Sequence, residues 1–246
     1  MSTRPRTDLD DELHELWAQY REALNFADAE AARRLLAQLT ERLGEDDPDI
    51  RYERAAERWN AEGPAAALGP LDALLRDHPE HADAHHARAL ACGELGDQPG
   101  MIAHFLEVLK LDAAQDLAAP LDASAREEAL AFITATAEEV LRELPERFLR
   151  ELDNVPVVLE ERPHEDIVRA GFDPRALGLF EGLEHGQQTT EFQLTAPTRI
   201  VLFTANLLAD FPEPELLAEE IEITLLHEIG HFFGLDEDGV EALGLA

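Results

Sequence analysis

Near the end of the chain two histidines stand four residues apart, with a glutamate directly after the first. These are His227, Glu228 and His231 in ITLLHEIGHFFGLDED, residues 223–238. On a helix, positions i and i+4 share one face, one turn apart, so both imidazoles can reach a single metal ion. Glu228 is rotated about a quarter turn further on, where it can meet a water on that ion without being a ligand. This H-E-x-x-H arrangement does metal-assisted hydrolysis: the ion acidifies a water and polarises a carbonyl, and the glutamate is general base. Zinc suits such a set, because imidazole and carboxylate ligands leave one position open for water. The stretch around the motif is strongly apolar, with Ile221, Leu225, Leu226, Ile229, Phe232 and Phe233. Two histidines and a glutamate are costly to bury there without a partner such as a metal.

A third ligand is required. Fifteen residues follow His231 in the sequence, so the expectation is that no glutamate from a further helix completes the site. Gly234 is placed to end the helix in a left-handed conformation and turn the chain back. The acids beyond that turn are Asp236, Glu237, Asp238 and Glu241. The spacing H-E-x-x-H-x-x-G-x-x-ligand falls on Glu237, with Asp236 as the alternative. A second transition-state donor is harder to name. The only tyrosines, Tyr20 and Tyr52, are in the first half of the chain. His185, in a polar loop, is the candidate, and His164 comes after it.

The elements that must carry this helix are short and mixed. Ser124 is read as the cap of a long helix through about Leu144, with Leu130, Ile133, Ala137, Val140 and Leu144 on one face. A short helix follows over about Pro145–Leu152. Val155–Leu159 and Leu177–Gly182 read as short strands, and Glu160–Gly171 as loop or short helix. Arg199–Thr204 (RIVLFT) is β-branched and apolar, a clear strand. His185–Pro197 is polar loop, and the prolines and glutamates at 212–215 open the last helix, which runs to about Phe233.

From about Ala129 to Gly244 the chain is similar to the small bacterial family of minimal zincin-like metallopeptidases. The matching pieces are ELPERF at 143–148, VPVVLEE at 155–161, LGLFEG at 177–182, RIVLFTANLL at 199–208 and the motif segment at 223–238. The resemblance implies a compact domain with a small sheet and the metal on the helix packed against it. It also implies an acid, often Asp, at the position of Glu237. The metzincins instead carry a histidine there followed by a methionine turn, and this chain has no Met after Met101. In zincins an edge strand beside the metal helix can pair with an extended substrate, a role expected here of RIVLFT.

The first 120 residues read as helix after helix, over about Asp8–Leu24, Asp28–Leu43, Asp49–Glu62, Ala65–Asp77, Ala82–Leu95 and Met101–Leu111. Gly44, Gly63-Pro64, Pro79, Gly96 and Pro99 separate them. Asp49, Ala55, Trp59, Leu71 and Leu75 map onto Asp83, Ala89, Gly93, Phe105 and Leu109 at a shift of 34 residues. That is the period of a helix-turn-helix array, and the region resembles the tetratricopeptide repeats, which implies a concave surface for protein segments. His78, His81, His85 and His86 gather at one inter-repeat turn and are read as turn residues rather than a metal site.

The expected fold class is α+β: a helical-repeat region over 1–120 and a zincin-like metallopeptidase domain over 121–246. The expected function is zinc-dependent hydrolysis of peptide bonds in a peptide or protein substrate, with a possible protein partner on the repeat surface. The competing reading is a non-catalytic interaction protein whose zincin-like domain binds metal structurally or not at all. A formal charge of -33 repels nucleic acid and anionic membranes. One cysteine, Cys92, excludes Cys-rich zinc sites. No apolar signal core or membrane span is visible, so the expected location is cytoplasmic.

Overall fold

The structure is a computed structural model that describes residues 6–152, 155–182 and 198–234. It is α+β. The chain divides into two compact units, Met1–Val108 and Leu109–Ala246.

The first unit contains helices α1 (Arg6–Asn25), α2 (Ala29–Leu43), α3 (Pro48–Glu62), α4 (Pro64–Asp77), α5 (Ala82–Glu94) and the start of α6 (Gln98–Ala118). Each break follows from local chemistry. Asp28 and Asp47 accept the first free amides of α2 and α3. Gly44 and Gly63 follow α2 and α3 with φ of 99° and 89°, which side chains resist. Neighbouring helices bury Leu16, Tyr20, Leu36, Leu39 and Ile50 in one cluster and Ala55, Ala67, Leu71, Leu74 and Ala84 in the next. Of the four histidines read as turn residues, His85 and His86 instead lie within α5, with His85 buried. His81 caps α5 by accepting the Ala84 amide, and His85 bridges the Pro79 carbonyl and His104.

The second unit holds the end of α6, then α7 (Ala123–Glu143), α8 (Glu146–Leu152), β1 (Val157–Glu160), α9 (Glu165–Arg169), β2 (Gly178–Glu181), β3 (Arg199–Phe203), α10 (Thr204–Asp210) and α11 (Pro214–Phe232). The strands form one sheet in the order β1-β3-β2, with β1 parallel and β2 antiparallel to β3. Helix α11 packs on β2, β3 and α7. Ile133 and Ala137 of α7, Ile200 and Leu202 of β3, and Ile221, Leu225, Ile229 and Phe232 of α11 share one core. At about 25 cal/mol per Å² of apolar surface removed from water, this core is what presses α11 onto the sheet.

Three sequence expectations change, and one helix goes unread. RIVLFT is the central strand, paired on both sides, so it cannot offer an edge to a substrate; among the described residues β1 and β2 are the strands at the borders of the sheet. Asp122, not Ser124, caps α7 by accepting the Ala125 amide at 2.9 Å, while the Ser124 hydroxyl donates to Glu128. Helix α6 continues past Leu111 to Ala118, because no breaker intervenes before Pro120 and Asp112 and Asp116 are fastened by arginines. Helix α10 springs directly from β3, in a stretch without a capping side chain to announce it. Among the described residues no helix is long and apolar enough to cross a membrane.

Candidate metal and catalytic site

Helix α11 starts at Pro214, where a missing N–H costs nothing. It ends as the sequence predicts: Gly234, at φ 70°, donates its amide to the His231 carbonyl. The helix therefore holds His227, Glu228 and His231 on a rigid element. The two imidazoles converge, with Nε2 atoms 2.9 Å apart and rings nearly perpendicular at 88°. Two nitrogens sharing a tetrahedral zinc at about 2.0–2.1 Å lie about 3.3 Å apart, a spacing that a small side-chain rotation reaches. His231 is exposed and His227 half-buried, so the nitrogens are open to an incoming ion. This donor set fits zinc.

Glu228 is turned inward and is only 8% exposed. Its Oε2 accepts the Phe180 amide of β2 at 2.6 Å. The direction of that amide follows from register. Phe203 donates to the Leu177 carbonyl, and antiparallel pairs alternate, so Phe180, opposite Ile200, points its N–H away from β3. Burial pushes the Glu228 carboxyl above the usual carboxylate range. The Phe180 amide, then His231 and His227, pull it the other way.

Strand and helix approach closely because of Gly178. A Cβ there would meet Thr224 Cγ2 at 2.7 Å, Glu228 Cγ at 3.1 Å and the Val201 carbonyl oxygen at 3.2 Å. His227, Glu228 and His231 form one wall of a cleft of about 450 Å³. The facing wall is apolar and small, made by Phe172, Ala176, Gly178, Leu179, Phe180 and Gly182. The sequence marked 177–182 as a strand but did not connect it to Glu228. A glycine inside an apolar run was the available signal of close backbone approach.

The remaining candidates fall elsewhere. Asp236, Glu237, Asp238, Glu241 and His185 lie outside the described residues. Among the described residues no group of three or more His, Cys, Asp or Glu side chains converges for a metal. His164 caps α9 by accepting the Asp166 amide, and the Tyr20 hydroxyl donates to Glu53 in the first unit.

Residues 152–245 match the family model described as zincin-like metallopeptidase. No curated protein matches the chain.

Proposed function

We propose that the protein is a zinc-dependent peptidase, with its centre on helix α11. The observation that carries this is the pairing of two convergent imidazoles with a buried, backbone-held glutamate in one cleft. The match of residues 152–245 to zincin-like metallopeptidases supports it. His227 and His231 would hold the ion through Nε2. Glu237 is the proposed third ligand, with Asp236 the neighbouring alternative. Zinc, when bound, supplies a Lewis acid for a substrate carbonyl and acidifies a water.

The chain's own groups do the proton work. Phe180 holds Oε2 of Glu228, so Oε1 is the oxygen that takes the proton from water. Glu228 then returns that proton to the leaving amine. The apolar wall of Phe172, Leu179 and Phe180 seats a substrate side chain and excludes water. An extended peptide would pair along β2 rather than β3. The helical region over 1–120 is proposed to bind a partner or to present substrate to the domain over 121–246, and the strongly acidic chain favours basic segments.

The test joins metal analysis to turnover of a mixed peptide library. The expected result is about one zinc per chain, with cleavage abolished in Glu228→Gln while zinc is retained. Zinc below about half occupancy after supplementation, or cleavage unchanged in Glu228→Gln, sinks the reading. The interaction-protein alternative would then take its place.

A further inference from the structure

A buried polar network lies behind the apolar wall of the cleft, within the second unit. Its centre is Asn206 on α10, 3% exposed. The Asn206 side-chain amide donates to the Pro174 carbonyl at 2.9 Å and to the Ala176 carbonyl at 2.6 Å. Its oxygen accepts from Arg162 at 2.6 Å. Arg162 in turn grips Asp116 with two bonds, 2.6 and 3.0 Å. Arg175, between the two clamped carbonyls in sequence, grips Asp112 in the same forked way at 2.8 and 3.0 Å. Forked arginine–carboxylate pairs fix direction as well as distance.

The segment held this way is the run into β2. Ala176 lines the cleft. At Gly178, two residues on, a Cβ would run into Thr224 and Glu228, and Phe180, two further, donates to the Glu228 carboxylate. That donor is a backbone amide, so no side chain can aim it. Its position is set only by what anchors the strand.

We infer that Asn206, oriented by Arg162, is a positioning residue that sets β2 against α11 and through the Phe180 amide fixes the Glu228 carboxylate. Asn206 uses both amide hydrogens and its oxygen here, and no smaller polar side chain can do all three. The inference rests on the reading of Glu228 as a base for its kinetic consequence, but not for its structural one.

The test uses the full-length chain. Exchange of the Phe180 amide is measured by NMR relative to Leu202 in the central strand, alongside peptide turnover with zinc. In Asn206→Ala, exchange at Phe180 should rise by about tenfold or more, the scale of one lost buried hydrogen bond. kcat should fall by a similar factor, with KM changed by less than about twofold. Thr204→Val removes a different α10 bond, from the Thr204 hydroxyl to the Glu160 carbonyl. It should lower Tm and leave both readings alone. Should Asn206→Ala not fold, Arg162→Lys, which keeps charge at Asp116 and drops the single bond to Asn206, is read by the same criteria. Unchanged Phe180 exchange in a folded variant overturns the inference. A Phe180 amide that responds in a protein that cleaves no peptide upholds the positioning and overturns the peptidase reading instead.

Discussion

The Phe180 amide of β2 and the Glu228 carboxylate of α11 meet at 2.6 Å. A side chain on α11 is thereby tied to the backbone of the sheet. Glu228 cannot move without either losing a charge-assisted bond or carrying the strand with it. Strand placement and the Glu228 carboxylate are therefore linked, and changes to β2 should register at Glu228.

Gly178→Ala tests this most directly. The new methyl would sit 2.7 Å from Thr224 Cγ2 and 3.2 Å from the Val201 carbonyl. One neighbour is a core side chain and the other is backbone of the central strand, so neither yields easily. Overpacking of this kind costs about 1–3 kcal/mol, a fall in Tm of about 2–12 °C for a chain of this size. Strand β2 should lift from α11 and turnover should fall together with stability. A thermal melt and a peptide assay check both; an unchanged Tm in Gly178→Ala would show the contact to be loose.

Glu228→Gln should separate fold from function. The glutamine oxygen can still accept the Phe180 amide, and the cost of burying a charge disappears. Tm is expected to stay level or rise, while turnover drops by about 10²–10⁴, the usual worth of a positioned base. A large loss of Tm would mean that the carboxylate is needed for folding rather than chemistry.

Zinc should stabilise the protein through the two histidines. A ligand at 100 times its Kd adds about 2.7 kcal/mol, a rise in Tm of about 5–10 °C. Because Nε2 of both His227 and His231 faces the same point, His231→Ala should abolish the shift without lowering the metal-free Tm. His231 is exposed and makes little of the core. Calorimetry with and without zinc measures the difference.

Much of this was readable from the sequence, and the reason is local. The H-E-x-x-H spacing fixes a face on any helix, and Gly44, Gly63 and Gly234 announce helix ends through chemistry that needs only near neighbours. What escaped depends on distant partners. RIVLFT reads as a strand whether it lies at the centre or the border of a sheet, since its apolar run is equally suited to both, and only the pairing of β1 and β2 decides. Asp112 and Asp116 look like solvated acids until Arg175 and Arg162, 63 and 46 residues away, draw them in. Asn206 looks like a surface residue of an undistinguished TANLLAD segment, yet it is buried at the hub of the network.

The first unit offers an independent prediction about acid. His85 Nε2 lies 3.1 Å from the Pro79 carbonyl, which can only accept, so that nitrogen carries the proton. Its Nδ1 lies 2.8 Å from Nδ1 of His104. Burial, the neighbouring His85 and the Arg88 cation hold His104 down from its ordinary 6.5 to about 4. The depressed value means that, between about pH 6.5 and about 4, the unfolded chain binds a proton that the folded chain refuses. Stability is therefore unaffected by this group above that window, falls as pH drops through it, and levels below it. His104→Asn keeps a polar group near the Nδ1 position and removes the titration. The wild-type Tm should fall more steeply than that of His104→Asn across the window, by the uptake of up to one proton. Parallel curves would show that His104 titrates alike in the folded and unfolded chain, and that carboxylates alone set the acid limit.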